Sequence, residues 1–363
     1  MRRPPPAAQG HSATLARISS TASISSPASC WSRRRGILAV ALGCALGLTA
    51  CGGNSPSHTA ASTHRRPATP TASPARQPAT KLVYRPLFTL GSAVQDAGGA
   101  ALNGQSFVLM GGLGSADTST ASVIQASLHG QLRTAALPNA QHDAQAATLG
   151  GRAYLFGGGQ FNQYDHILAY DPAANSVQQA GTLPAASSDA AVAAVGDRAF
   201  VVGGYDGVHW LNTIVAWRPG APTQVVGHLP VALRYAAVTA AGGYVLIAGG
   251  TTQTGLSRSI YRFDPRSGAV TTLGHLPGAV THAGAGVLGG LAYVIGGRGD
   301  SSSAQTSEIW SFDPLTGVVR EAGRLPHPLS DATVIPINGG IVIAGGRTSA
   351  GTQSAVGELV PAG

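Results

Sequence analysis

A Gly-Gly pair recurs at almost constant spacing along most of this chain. The pairs begin at residues 111, 157, 203, 249, 296 and 345, so the successive intervals are 46, 46, 46, 47 and 49 residues. A Leu-Pro pair keeps the same phase, because its proline, at 138, 184, 230, 277 and 326, precedes the next of these glycines by 19 residues each time. Two markers that stay in phase over five intervals predict tandem copies of one structural unit.

Each unit contains four short runs of strand-forming residues. An Ala/Val-rich run such as 190–195 comes first, and a more hydrophobic run such as 200–202 ends at the Gly-Gly. After a variable polar loop, a third run ends on an aromatic residue and a turn, and a fourth continues to the Leu-Pro. Four short strands in such a unit are typical of a β-propeller blade, and blades bury their faces by stacking. We therefore expect an inter-blade core that contains Tyr170, Trp217, Phe263 and Phe312.

The repeated motifs resemble kelch repeats. The resemblance rests on a Gly-Gly pair after a hydrophobic strand, an aromatic-Asp-Pro turn at 170–172, 263–265 and 312–314, and a Leu-Pro linker. One feature departs from the kelch pattern, because the tryptophan usual in the fourth strand is replaced by Val177, Val225, Val270 and Val318. The resemblance implies an all-β, six-bladed, kelch-like β-propeller over residues 81–363.

The two ends of the repeat region predict how the ring closes. The last unit stops at residues 359–361, after its third strand, and lacks a fourth. Residues 81–86 precede the first unit, and their sequence resembles the fourth strand of a unit although they belong to none. We expect this N-terminal strand to pair with the last blade, so that no long strand edge stays open.

Residues 1–51 have the features of a bacterial lipoprotein signal peptide. Three arginines at 33–35 precede an apolar run over 36–49, which suits a signal peptide and is short for a membrane span. The run ends in Leu-Thr-Ala-Cys-Gly, which resembles the lipobox and implies lipidation of Cys51. We expect this anchor to hold the protein on the outer, extracytoplasmic face of the cell membrane. The alternative is an apolar stretch with an incidental cysteine.

The region between the signal and the repeats differs in composition from both. Residues 52–80 consist mainly of Ser, Thr, Pro and Ala without hydrophobic periodicity. Such a sequence predicts a disordered tether between the anchor and the propeller. Export by the general secretory route and by the twin-arginine route both remain open, because Arg34 and Arg35 also fit a twin-arginine core.

The distribution of charge and cysteine excludes several classes of function. Nine of the 23 basic residues precede Lys81 and no acidic residue does, so the later part carries 14 basic and 15 acidic residues. We therefore expect no nucleic-acid partner. All three cysteines lie in the first 51 residues, which excludes a disulfide or a cysteine nucleophile in the repeats. No motif for a metal or a dinucleotide is present, so we expect no metal, no cofactor and a monomer.

Two positions in each unit are expected to reach one mouth of the propeller channel. The first begins the innermost strand, 14 or 15 residues before the Gly-Gly, and the second follows the Gly-Gly. Both vary between units while staying polar, as a binding face on a repeated frame would. The candidate binding residues are Asp96, His142, Asp143, Gln160, Asp189, Tyr205, Asp206, Trp210, Arg234, Tyr235, His282, Arg298, Asp331 and Arg347. Each taken singly is more often a turn or solvated loop residue than a ligand contact.

Two functions remain open. The first is a membrane-anchored binding or scaffold protein that binds protein or glycan at one mouth, with the aromatic loop 205–210 as a contact patch. The second is implied by the resemblance, since some kelch propellers are sugar mutarotases or epimerases: Arg234, His282, Arg298 and Asp331 would then form an acid–base cluster. Convergence of these four on one pocket, with His282 hydrogen bonded to Asp331, would favour the enzyme. A broad aromatic and polar face around Tyr205 and Trp210 would favour binding.

Overall fold

Six four-stranded antiparallel sheets dominate the computed structural model, which describes residues 81–363 apart from 300, 302 and 338. The predicted signal peptide at 1–51, with Cys51, and the predicted tether at 52–80 lie outside the described residues. No helix occurs among the described residues, which confirms the all-β prediction. The strands, in chain order, are β1 (Leu82–Thr89), β2 (Gly98–Ala101), β3 (Ser106–Met110), β4 (Thr120–Ser127), β5 (Gly130–Gln141), β6 (Gln145–Leu149), β7 (Arg152–Phe156), β8 (His166–Asp171), β9 (Ser176–Thr182), β10 (Ala191–Val195), β11 (Arg198–Val202), β12 (Thr213–Trp217), β13 (Gln224–His228), β14 (Ala237–Ala241), β15 (Tyr244–Ala248), β16 (Thr251–Thr252), β17 (Gly255–Leu256), β18 (Ser259–Phe263), β19 (Val270–His275), β20 (Val280–Thr281), β21 (Gly284–Leu288), β22 (Leu291–Ile295), β23 (Arg298–Gly299), β24 (Glu308–Phe312), β25 (Val319–Arg324), β26 (Thr333–Ile337), β27 (Gly340–Ala344), β28 (Arg347–Thr348), β29 (Gly351–Thr352) and β30 (Ala355–Pro361).

Each large sheet is one blade of a six-bladed propeller. From the channel outward, blade 1 is β2-β3-β4-β5, blade 2 is β6-β7-β8-β9 and blade 3 is β10-β11-β12-β13. Blade 4 is β14-β15-β18-β19, blade 5 is β21-β22-β24-β25 and blade 6 is β26-β27-β30-β1. The remaining six strands form three small hairpin-like pairs, β16-β17, β20-β23 and β28-β29. The predicted six-bladed architecture is confirmed.

The strand directions give the propeller two distinct faces. The first strand of each blade runs away from the inter-blade linker, and the second returns to the Gly-Gly, as β10 and β11 do. We call the side with the Gly-Gly pairs and the linkers the mouth face. The turns between first and second strands, and between third and fourth strands, lie on the opposite face.

The ring closes as the sequence predicts. Strand β1 pairs antiparallel with β30, from Leu82 opposite Pro361 to Thr89 opposite Ala355, with a bulge between Pro86 and Phe88. The N-terminal strand is therefore the fourth strand of blade 6, and it begins on the opposite face. Both chain ends are thereby used to remove an open strand edge.

Aromatic side chains at the ends of the third strands fill the spaces between blades. Trp217 of blade 3 meets Tyr154 and Phe156 of blade 2 edge-on, with ring centroids 5.0 and 5.6 Å apart. Phe263 of blade 4 packs on Phe200 of blade 3 at 5.6 Å. Tyr170, Trp217, Phe263 and Phe312 are all fully buried, as predicted for an inter-blade core. Burial of such large side chains is the main stabilising contribution of stacked blades.

The Gly-Gly pairs join each blade to the linker that leads to the next one. In blade 1, Gly111 and Gly112 have φ angles of 68° and 99°, which are left-handed values that favour glycine. The Gly112 N–H donates to the Gln141 carbonyl at 2.8 Å. A Cβ on Gly111 would lie 2.6 Å from that same oxygen, so a larger residue would push the linker away. The equivalent N–H of every other blade donates to its own linker at 2.8 Å, which explains the repeat of the motif.

Candidate ligand-binding mouth of the channel

The two predicted site positions of each unit lie side by side on the mouth face. In every blade the linker residue just before the inner strand forms an antiparallel bridge with the second residue after the first glycine of the Gly-Gly. The six pairs are Gln95 with Leu113, His142 with Gly159, Ser188 with Tyr205, Arg234 with Thr251, Thr281 with Arg298, and Ser330 with Arg347. This bridge explains why both positions vary together around the mouth, because each pair is one local hairpin on a repeated frame.

The residue that follows each bridge forms a ring around the channel axis. All six have left-handed backbones with φ between 53° and 59°, although none is glycine: Asp96, Asp143, Asp189, Tyr235, His282 and Asp331. The backbone N–H of each one donates to the carbonyl of its counterpart in the preceding blade at 2.9 to 3.3 Å. Six hydrogen bonds thus form a closed circle. Aspartate visits the left-handed region at modest cost, whereas tyrosine and histidine are held there by the surrounding structure.

Two connected cavities meet at this ring. The channel below the ring has a volume of about 350 Å³, and the mouth above it has about 390 Å³. Asp96, Asp143, Tyr235 and His282 line both cavities. These volumes lie in the lower part of the range typical of small-molecule sites. A ligand at the mouth would therefore contact side chains from several blades at once.

Two arginines neutralise two of the four ring aspartates. Arg298 Nη2 lies 2.5 Å from Asp331 Oδ2, which also accepts a hydrogen bond from the Ser330 hydroxyl. Arg234 forms an ion pair with Asp189 in the same way on the other side of the ring. Both carboxylates are almost completely buried, so each needs a paired cation and hydrogen bonds to remain charged.

Burial and neighbouring carboxylates favour the neutral form of the other two ring aspartates. Burial raises the pKa of Asp96 well above its usual value, and the charges of Asp143 and Asp331 raise it further. Burial likewise raises the pKa of Asp143, as do the charge of Asp189 and a hydrogen bond with it. A hydrogen bond with Asp331 acts on Asp96 in the same sense. The ring therefore contains two acid–carboxylate pairs, each completed by one arginine.

Tyr235 and His282 complete the ring on its remaining side. Their rings are stacked, with centroids 3.8 Å apart and planes inclined by 20°. Burial lowers the pKa of His282 to about 4, so the imidazole is neutral at neutral pH. Its Nδ1 lies 3.1 Å from the Thr281 hydroxyl, whereas its Nε2 is 4.0 Å from Asp331 Oδ1. The latter distance is too long for a hydrogen bond.

The aromatic loop 205–210 serves mainly to hold Arg234. The guanidinium carbon of Arg234 lies 4.6 Å from the Tyr205 ring centroid and 5.0 Å from that of Trp210. Stacking on two aromatic rings fixes the arginine that pairs with Asp189. Tyr205 and Trp210 are thus half-buried against Arg234 and do not form a broad open face. Asp206 accepts the Val208 and His209 N–H groups and keeps the loop tightly turned.

The remaining candidates divide into mouth and periphery. Arg347 lines the mouth, where its Nη1 contacts Asp117 Oδ1 at 2.7 Å. Gln160 is exposed and lies outside both cavities, as does Asp206. His142 lines the mouth, and its Nδ1 is 2.9 Å from the Ser119 hydroxyl.

Sequence reasoning did not find three residues that also line the mouth, Gln95, Leu113 and Asp117. Gln95 occupies the same repeat position as His142, so alignment of the first unit to the others would have identified it. Asp117 lies in a variable loop that has no counterpart in the repeat pattern. Only the folded ring brings it near Arg347.

The chemistry available at the mouth is hydrogen bonding and proton exchange. Asp96 and Asp143, whose pKa values are raised, can donate as well as accept when protonated, and neutral His282 can accept a proton. In the described part of the chain, no group of three or more His, Cys, Asp or Glu side chains is arranged to hold a metal ion. The described residues also contain no helix that is long and apolar enough to cross a membrane.

Comparison with known proteins agrees with this architecture. Kelch motifs match residues 232–277 and 279–326, which lie mainly in blades 4 and 5. The solved structure of YjhT is similar to this chain, with a TM-score of 0.65 and 18% sequence identity, over 75% of this chain and 95% of that one. No curated protein matches the chain in sequence. The chain therefore contains kelch motifs within a six-bladed β-propeller, a fold that is compatible with a protein-binding scaffold.

Proposed function

We propose that this kelch propeller is a lipid-anchored, extracytoplasmic binding protein whose mouth binds a neutral, hydroxyl-rich ligand, namely a sugar unit of a glycan. The observation that carries the proposal is the ring of four aspartates around the channel, of which Asp189 and Asp331 are paired with arginines. Burial and the neighbouring carboxylates raise the pKa values of Asp96 and Asp143, which favours their neutral form. A neutral carboxyl both donates and accepts hydrogen bonds, as a sugar hydroxyl does. The charges of Asp189 and Asp331 are offset by arginines, so these two aspartates offer little net charge to a ligand.

The proposed anchor and location rest on the sequence of residues 1–51. An arginine run, an apolar run and a lipobox-like Cys51 occur in the order that lipoprotein signals require. Replacing the cysteine, Cys51→Ser, should abolish acyl labelling and release the protein from the membrane fraction. Equal labelling of both proteins would contradict the anchor without bearing on the mouth.

The binding proposal is tested with the full-length chain carrying Cys51→Ser, against neutral sugars and cell-wall fragments. A saccharide present at 100 times its dissociation constant should stabilise the fold by about 2.7 kcal/mol, which thermal unfolding detects. Arg347→Met, at the mouth, should weaken binding, whereas Arg324→Met, an exposed arginine on the outer strand of blade 5, should not. If none of the saccharides stabilises the fold, a glycan ligand is contradicted. Crosslinking at the membrane surface would then look for a protein loop in the same mouth.

A second candidate function is acid–base catalysis on a sugar. Burial raises the pKa values of Asp96 and Asp143, and they line the same cavities as a neutral His282; such groups can pass a proton to and from a ring oxygen. Of the four residues of the sequence hypothesis, Arg298 pairs with Asp331 and His282 Nε2 lies 4.0 Å from Asp331 Oδ1, whereas Arg234 pairs with Asp189. Anomer exchange of bound sugars, followed by NMR with Asp143→Asn as the control, tests this. If the anomers exchange at the uncatalysed rate, catalysis is contradicted and the binding function alone stays in place.

A further inference from the structure

The mouth has an unusually exposed aromatic residue at its rim. Phe161 is 90% exposed, the largest exposed fraction among the large hydrophobic residues the structure describes. It lies in the loop that joins the second and third strands of blade 2, two residues after Gly159, which bridges to His142 of the mouth. Phe161 therefore lies on the mouth face, in a loop that begins beside a residue of the mouth, although it lines neither cavity.

The loop that carries Phe161 is held in one conformation. The Gln160 N–H donates to the Asn162 carbonyl at 3.1 Å, and Gly159 bridges to Gln163. The neighbouring loop of blade 3 packs against it, because a Cβ on Gly207 would lie 2.6 Å from Gln163 Oε1. Next to Gly207, Val208 is 75% exposed. We call residues 159–164 and 205–210 the rim.

The chemistry of the Phe161 loop favours an uncharged polyhydroxyl ligand. Residues 159–164 read Gly-Gln-Phe-Asn-Gln-Tyr and contain no charged side chain. An exposed aromatic ring beside two or three carboxamides offers an apolar face for C–H groups and donors and acceptors for hydroxyls. A highly charged partner would find no counter-charge in this loop.

We infer that the rim is a second carbohydrate subsite, so that the ligand is an oligosaccharide with one unit at the mouth and a further unit on Phe161. This inference rests on the proposed function and adds to it the class of ligand. We expect the aromatic ring to raise the affinity for a ligand that stacks on it by about threefold to tenfold, which corresponds to about 0.7–1.4 kcal/mol, the size of one contact between aromatic rings. The gain applies only to a ligand long enough to reach from the mouth to the rim.

The experiment compares monomers with tetramers of glucose and of N-acetylglucosamine on the full-length chain carrying Cys51→Ser. Phe161→Ala should weaken tetramer binding by about threefold to tenfold and leave monomer binding unchanged. Phe161→Tyr should retain the wild-type affinity, because the aromatic face is kept. Leu315→Ala is the matched control, since Leu315 is 61% exposed in a turn on the opposite face. Phe161 is so exposed that its replacement should not affect folding.

Each outcome separates the rim from the mouth. If the wild-type protein binds tetramers and Phe161→Ala does not weaken that binding, the rim subsite is overturned and the proposed function stays in place. If Phe161→Ala weakens tetramer binding and Arg347→Met does not, the rim is supported and the mouth is contradicted. If the wild-type protein binds no saccharide, both are overturned.

Discussion

The backbone N–H of Asp96 donates to the carbonyl oxygen of Asp331 at 2.9 Å, and this bond closes the circle of six hydrogen bonds around the channel. Asp96 belongs to the first blade and Asp331 to the last, so the bond forms only when the whole ring is assembled. The side chains of the same two residues form one of the two acid–carboxylate pairs. Closure of the fold and assembly of the candidate site are therefore one event.

The left-handed ring positions should discriminate between side chains of similar size. Asp143 has a φ of 54°, which asparagine tolerates and a β-branched residue does not. We expect Asp143→Val to be less stable than Asp143→Asn by about 1–3 kcal/mol in urea unfolding. Equal stabilities would mean that the backbone at this position relaxes out of the left-handed region.

The raised pKa values of Asp96 and Asp143 predict a loss of stability at higher pH. A raised pKa means that the folded state retains its proton when the unfolded chain has lost it. The contribution is complete below the unfolded pKa of about 3.9 and is lost as the pH rises through the folded pKa. We expect the double variant Asp96→Asn/Asp143→Asn to lose less stability than wild type as the pH rises above about 3.9. Parallel pH profiles in urea unfolding would contradict the raised pKa values of the two carboxyls.

His282 should act in the opposite sense on the acidic side. Burial lowers its pKa from 6.5 to about 4, so its contribution is present above the unfolded pKa and is lost as the pH falls toward 4. The difference corresponds to about 3 kcal/mol between pH 7 and pH 4. His282→Asn, which keeps a residue that tolerates the left-handed backbone, should remove this loss relative to wild type. NMR titration of the imidazole with a midpoint near its ordinary value would contradict its burial in the neutral form.

The Arg298–Asp331 pair should be far more important for stability than an exposed pair. Arg298→Met leaves the fully buried Asp331 carboxylate without its cation, which costs about 3–5 kcal/mol. Arg324→Met removes an arginine whose side chain is 58% exposed beside Glu308 and Glu321, and we expect a change within about 0.5 kcal/mol. Combining Arg298→Met with Asp331→Asn should recover much of the loss. Similar unfolding free energies for the two arginine variants would show that Asp331 is hydrated.

Much of the fold could be predicted because each blade repeats the same local requirements. The Gly-Gly pairs recur because Gly112 and its counterparts each donate to a linker carbonyl in a left-handed conformation. The missing fourth strand of the last unit matched the extra strand at residues 82–89. Trp217 and the other strand-end aromatics were predictable as core because their place in the unit is fixed.

The candidate site was predictable in position but not in pairing. Asp96, Asp189 and Asp331 hold the same place in their units and Arg234 holds the adjacent one, so all four were predictable at the mouth. The sequence did not predict that Arg234 would pair with Asp189 beside the rings of Tyr205 and Trp210. Nor did it predict the contact between Arg347 and Asp117, which joins the last blade to a variable loop of the first.

The sequence by itself determined the repeat, the number of blades, the closing strand and the positions that face the channel, because these depend on local patterns repeated along the chain. The tertiary structure decided which aspartates have raised pKa values, which are paired with arginine, and that Phe161 is exposed at the rim. Those properties depend on burial and on distances of a few ångströms between residues of different blades. The ring sets those distances only after all six blades have closed.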